Sequence, residues 1–468
     1  MLSNTLYFYP PFLPPFCFSL LFTRAFRELM AARRPGFSIR DQVAGLERAR
    51  KCARRAAAGP GIEGFARLDK TTAKRWELVP SSIGRDGAVP SSVLPRGPDI
   101  FAVFHTLFCS SLLEALALAN GGHSDGEKEN FRAFAITILI QFVIPRHGRG
   151  AKRWPLESAF DHAKNLLKSS LGVTRIIKFE RWTHVVKSNH FTGAFAREDL
   201  SSGLERLIDY GGVMTLDEKL RGYGGDAPCT VYCPGKPEPK GLWVSQLRVF
   251  LSSTSLPYVT RVYPFTHCTA VGESQAMSSV VEWATSAIPR FPDGGRPLVV
   301  MDARYLDKAG FDLLTMRGIK FLASINPRWF PEFAAALSDV KQRGDWGALR
   351  SENGQVLFVS HFTAERVGKR HLLTNALRER PVPLPPAKCP GSDEYQVTFS
   401  ILDRFNQRMA GHYWPYRRTD WELALYDLLL TIVLFDLYHL HCEITGEVKP
   451  LTAAMRELAI AMYGHTLG

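Results

Sequence analysis

Apolar positions along this chain recur first at helical spacing and then, from Gly211 onward, at alternate residues. Residues 100–119 carry the 3.6-residue pattern and stop at Asn120-Gly-Gly, a helix C-terminal signal. Glu127-Lys-Glu-Asn opens a second helix over 131–143 that ends near Pro145. Two more are predicted at 156–171 and 178–189, the latter with Phe179, Trp182, Val185 and Val186 on one side. The period then falls to two: Val213, Thr215 and Asp217 share one strand face, and Met214, Leu216 and Glu218 the other. Gly222, Gly224 and Gly225 make a turn, not a phosphate loop, because no Lys-Ser/Thr closes it and no helix follows. Strands follow at 229–233, 242–250 and 258–263, then a helix at 274–287. The run Arg296-Pro-Leu-Val-Val-Met has the look of a fully buried strand and ends abruptly in Asp302. A helix through Phe311 and Leu314 closes at Arg317-Gly318, and a strand covers 319–324.

Residues 325–390 break the pattern with prolines and glycines, so they read as an insertion. Apolar periodicity resumes at 394–399, a helix starts over 400–407, and 421–442 form a long buried helix. Three strands, a helix, a strand ending in Asp302, a helix and a further strand suggest an α/β fold with a ribonuclease H-like core. The expected organisation is a basic, largely disordered arm (1–95) and an all-helical DNA-binding and dimerisation domain (96–210). The core's first part (211–326), the insertion (327–392), its second part (393–445) and a tail (446–468) follow. Met30 reads as an alternative start, which would leave 1–30 upstream of the protein.

Charge sharpens the picture. A formal net charge of +13 favours a polyanionic partner, nucleic acid first. Arg48-Ala-Arg-Lys-Cys-Ala-Arg-Arg is a basic cluster suited to nuclear import or phosphate contact, or to a solvated helical face. Eight cysteines without paired knuckles fit a reducing compartment. His439-Leu-His-Cys-Glu443 tempts a zinc assignment, but consecutive helical positions point in different directions. No membrane span is expected: residues 10–23 are short and hold four prolines, and the helix at 423–442 contains Asp427 and Asp436.

Asp217, Asp302 and Asp403 sit at three structural transitions. Carboxylates converging from separate elements are what a two-metal phosphoryl-transfer site requires, since magnesium takes hard oxygens and keeps several waters. The surrounding residues resemble the piggyBac transposase family over about residues 99–442. The likeness lies in Leu216-Asp-Glu-Lys219, in Tyr232-Cys-Pro-Gly-Lys-Pro-Glu-Pro-Lys-Gly241, and in Val299-Val-Met-Asp-Ala-Arg-Tyr305. It continues in Arg317-Gly-Ile319, in Asp403-Arg-Phe-Asn-Gln407 followed by Trp421, and in the helical region at Phe131-Arg-Ala-Phe134, Arg153-Trp154 and Phe179-Glu-Arg-Trp182. Three departures stand out: Ala303 where the family has Asn, Asn406 in place of its fourth acid, and Ser400-Ile401 for its paired glycines. There is also no cysteine-rich zinc-binding tail.

The resemblance implies that Asp217, Asp302 and Asp403 hold two Mg2+ ions, with Asp217 bridging them. It implies cut-and-paste chemistry on double-stranded DNA, at transposon ends and an A/T-rich target, by a nuclear protein that forms a homodimer. Lys236, Lys240, Arg417 and Arg418 become candidate phosphate contacts. The competing expectation is a DNA-binding protein, domesticated or decaying, that keeps the fold without cutting. A third is a protein-interaction module.

Overall fold

A computed structural model describes residues 65–69, 76–78, 87–92, 94, 99–107, 124–144, 156–188, 203–225, 230–233, 239–263, 277–286, 288, 296–333, 340, 345–351, 355–364, 368–379, 391–413 and 421–467. In chain order these form β1 (Phe65–Leu68), β2 (Trp76–Leu78), β3 (Val89–Pro90), α1 (Ile100–Leu107), α2 (Ser124–Ile138), α3 (Leu156–Leu171) and α4 (Phe179–Ser188). Next come β4 (Ile208–Asp209), β5 (Val213–Gly222), β6 (Thr230–Tyr232), β7 (Lys240–Phe250), β8 (Pro257–Tyr263), α5 (Met277–Ser286), β9 (Leu298–Met301), α6 (Lys308–Met316) and β10 (Phe321–Ile325). The chain continues through β11 (Trp346–Ser351), β12 (Val356–Ala364), β13 (Gly368–Thr374), β14 (Leu377–Glu379), α7 (Ser392–Ala410), α8 (Trp421–Thr445) and α9 (Leu451–His465).

Ten strands make one mixed sheet in the order β1-β11-β12-β13-β10-β9-β5-β7-β6, with β8 also on β7. The pairs β5/β9 and β9/β10 are parallel; the others in this sheet are antiparallel. The region read as an insertion therefore adds strands to the same sheet, and β1 from the expected arm closes its edge against β11. Helices cover both faces, which is why β7 is buried almost throughout its length. On one face Met214, Leu216, Val299 and Met301 join the core that includes Val281 of α5 and Phe311 of α6. On the other, Val213, Leu298, Val300 and Leu322 pack with Tyr395 and Leu402 of α7.

The helix expected to start near residue 400 begins at Ser392 instead, so Asp403 and Asn406 lie in its middle. Gly391 precedes it at φ 83°, and a Cβ there would stand 2.7 Å from a methyl of Leu322. Glycine is needed twice over: for the left-handed turn and for the close approach to β10. Residues 446–468, read as a tail, contain α9, whose Ala454, Met455, Leu458, Ala459 and Met462 are buried. Arg132 of α2 fixes its end, donating from Nε to Thr466 Oγ1 at 2.9 Å and from Nη2 to the Thr466 carbonyl at 2.9 Å. By length and composition α8 holds one segment able to cross a membrane, Asp427–Thr445, but 89% of it is buried inside the protein.

Candidate functional site

Strand register builds the site. Leu216 pairs with Met301 across the parallel β5/β9 ladder, so Asp217 and Asp302 are the next residues on neighbouring strands, which lie about 4.8 Å apart. Both follow the parity of Val213 and Val300, and so both belong to the face covered by α7. Ala323 of β10 pairs with Met301, which brings Ser324 level with Asp302. The buried Ser324 hydroxyl donates to Asp302 Oδ1 at 2.8 Å, and the Ala303 amide donates to the same oxygen at 2.5 Å. The two acids expected to lie in strands are thus in one row.

The third expected acid is placed differently. Asp403 is exposed on α7. The side chain of α7 that reaches Asp217 is Asn406, one turn further on, whose Nδ2 donates to Asp217 Oδ2 at 3.3 Å. Of the four expected phosphate contacts, Lys240 opens β7 and is partly buried. Lys236, Arg417 and Arg418 lie outside the described residues, as does the 48–55 basic cluster.

A cation that the sequence reading missed completes the pocket. Arg248 of β7 pairs with Thr215, two residues along the ladder from the Asp217–Gln246 pair and so on the same face. Its side chain has 0% exposure, against 13% for Asp217, and Nη1 lies 3.4 Å from Asp217 Oδ2. The guanidinium also donates to Asn406 Oδ1 at 3.0 Å and, through Nε, to Gln246 Oε1 at 2.9 Å. The Phe405 ring centroid stands 5.2 Å from its central carbon. Burial pushes the Arg248 pKa down while Asp217 and then Asp436 hold it up. Beside it on β5, Lys219 donates to the Asn406 carbonyl at 2.6 Å.

Two further buried acids belong to α8. Asp427 accepts from Arg221 at 3.2 Å and from Gln141. Asp436 accepts from the Val259 amide at 2.9 Å. Burial drives the Asp436 pKa well above the ordinary carboxylate range, against the opposing pull of Val259 and Arg248. An acid raised in the fold keeps its proton after the unfolded chain has released its own. Stability is then undiminished below about pH 3.9 and falls as pH rises from there toward the folded pKa. Asp436→Asn, which retains an acceptor for Val259, is expected to gain stability relative to wild type with rising pH. Urea midpoints taken from pH 4 upward check this, and parallel curves would refute it.

The His439-to-Glu443 cluster is engaged in packing. His439 Nδ1 lies 2.7 Å from the Pro257 carbonyl, and burial lowers its pKa to about 4. Glu443 accepts from the amides of Ser253 and Thr254 at 2.6 and 2.9 Å, fixing the turn between β7 and β8. Among the described residues no group of three or more His, Cys, Asp or Glu side chains is placed to hold a metal ion.

No family model matches the chain, and no curated protein sequence does. Among solved structures it is similar to the cryo-EM structure of a piggyBac transposase synaptic complex with hairpin DNA. The TM-score is 0.61 at 13% sequence identity, over 82% of this chain and 84% of that one. The architecture, a large mixed sheet with helices on both faces, is therefore transposase-like.

Proposed function

We propose that this chain is a transposase-derived, nuclear DNA-binding protein that keeps the transposase scaffold without two-metal cutting chemistry. The fold likeness to a transposase seen with DNA, together with a net charge of +13, supports the DNA partner. The strand order β8-β7-β5-β9-β10, antiparallel and then parallel, supports a ribonuclease H-like reading of the core. The observation that carries the absence of cutting is the Asp217 carboxylate. It is shared by a buried guanidinium and a carboxamide where the resemblance implies shared metal ions.

The donor set does not fit two divalent cations. Asp217 and Asp302 supply two charges, one of them already matched by Arg248; Asn406 supplies none, and Asp403 is exposed. The row of Asp217 and Asp302 favours the second reading, an active nuclease or transposase.

One experiment separates them. Wild type and Asp302→Asn are incubated with supercoiled plasmid and hairpin-ended duplexes in Mg2+ or Mn2+, and binding is measured across a salt series. The expected result is no metal-dependent nicking by either protein. Affinity should fall about a hundredfold between 50 and 200 mM salt, the slope for about four phosphate contacts. Nicking by wild type that Asp302→Asn abolishes would replace this reading with the catalytic one. Salt-insensitive binding, or none, would leave a protein-interaction module.

A further inference from the structure

The geometry points to Arg248 as the resident cation of the Asp217 pocket, a metal-free latch that holds α7 on the sheet and keeps divalent ions away from Asp217. The inference deepens the reading above, since it rests on this pocket being the counterpart of the transposase acidic centre. Three oxygens converge on one guanidinium: Asp217 Oδ2 from β5, Gln246 Oε1 from β7 and Asn406 Oδ1 from α7. Gathering oxygens from separate elements is what a hard metal ion does. A guanidinium does the same with a fixed fork of N–H donors, and it cannot exchange with solvent.

Asn406 closes the ring by donating to Asp217, while Lys219 holds the Asn406 carbonyl. Phe405 lies across the guanidinium, so the helix that supplies a hydrogen-bonding partner also supplies a cover. Residues 405 and 406 are adjacent on α7: Asn406 reaches β5 and β7, and Phe405 lies between Arg248 and the Phe435 and His439 rings of α8. Remove the cation and Asn406 loses one of its three polar contacts with the sheet, keeping those to Asp217 and Lys219. Add a divalent ion at Asp217 and it stands beside a buried positive charge, where repulsion is weakly screened. The position that would offer a further acid offers an amide. Arg248 therefore both replaces the ion and repels it.

The test uses the full chain with Mn2+ alone as the probe, read by loss of the free-ion EPR signal and by the shift in Tm. Wild type and Asp217→Asn are expected to take up Mn2+ equally, with no Tm response that depends on Asp217. The double variant Arg248→Gln/Asn406→Asp is expected to gain Mn2+ uptake and a Mn2+-dependent rise in Tm. Uptake by wild type that Asp217→Asn removes would overturn the inference. So would a folded double variant that takes up no more Mn2+ than wild type. Where the double variant does not fold, the comparison of wild type with Asp217→Asn decides. Mn2+ uptake and DNA nicking are separate readouts. A chain that binds Mn2+ at Asp217 without nicking sinks the latch alone, and one that fails to bind DNA sinks the functional reading alone.

Discussion

Arg248→Met lowers the stability of the folded chain by about 3–5 kcal/mol, the cost of leaving one partner of a buried ion pair behind. Methionine fills much of the aliphatic volume, so the loss is electrostatic more than a matter of packing. Asp217 keeps its position with 13% exposure and loses its counter-charge, while Gln246 Oε1 and Asn406 Oδ1 lose their donor. That residual exposure lets Asp217 recover some solvation and sets the effect toward the lower end. Urea unfolding of the single variants, beside Arg248→Met/Asp217→Leu, measures the coupling. The double variant should recover much of the loss, because removing both charges leaves no buried ion without a partner. Arg248→Lys should fall between, since an ammonium keeps the charge but cannot fork to three oxygens. A loss below about 1 kcal/mol for Arg248→Met would mean that the pair is not a stabilising contact.

The reach of the sequence reading follows from which interactions leave a periodic trace. Alternation over 213–218 put Asp217 on the same face as Val213, and the abrupt end of the apolar run put Asp302 at a strand terminus; register then sets the two side by side. Neither inference needed tertiary information. Arg248 did. It lies in the run Leu242-Trp-Val-Ser-Gln-Leu-Arg-Val-Phe250, which reads as a buried strand, and a buried strand gives no reason to expect a charge. A signal was present all the same: Gln246 and Arg248 alternate with Leu247 and Val249, so one face of that strand is polar where it opposes Asp217.

Asp403 is expected from the motif it resembles, but which side chain of α7 reaches Asp217 is set by helical phase. With the helix taken to begin near residue 400, the acid could sit at an entering turn. Within a helix running from Ser392, Leu402 and Phe405 are buried and Asp403 faces solvent. The α9 helix is legible too, in the spacing of Ala454, Met455, Leu458 and Met462 after Pro450, although the expected organisation makes 446–468 a tail. The strands of 346–374 pair mostly with one another, β11 with β12 and β12 with β13, but the glycines and prolines around them break the apolar pattern; β1 pairs with β11 across 280 residues or more.

Asp427→Ala is expected to cost a similar amount, about 3–5 kcal/mol, and for a reason that joins three parts of the molecule. Asp427 is fully buried on α8 and accepts from Arg221 of β5 at 3.2 Å and from the Gln141 side chain. Gln141 belongs to a single π-helical turn, Leu139–Val143, that continues α2. Such a turn inserts a residue and re-aims the side chains beyond it, which here carries an amide into the interior. The Gln141 carbonyl lies 3.2 Å from His412 Nδ1, just past the end of α7. One carboxylate thus ties the helical unit to the sheet through α8. Alanine would leave Arg221, whose side chain is 10% exposed, without its carboxylate, though the Gly222 carbonyl at 3.1 Å would still accept from it and the Tyr413 ring 4.5 Å away would still cover it. Asp427→Asn keeps an oxygen for Gln141 and loses only the ion pair, so it should be the milder of the two. If the carboxylate is the joint between the units, Asp427→Ala should also raise hydrogen exchange across 139–143 and 219–222 together, segments remote in sequence. Exchange that rises only along α8 would show instead that the helix carries its own stability and that the ion pair binds nothing to it.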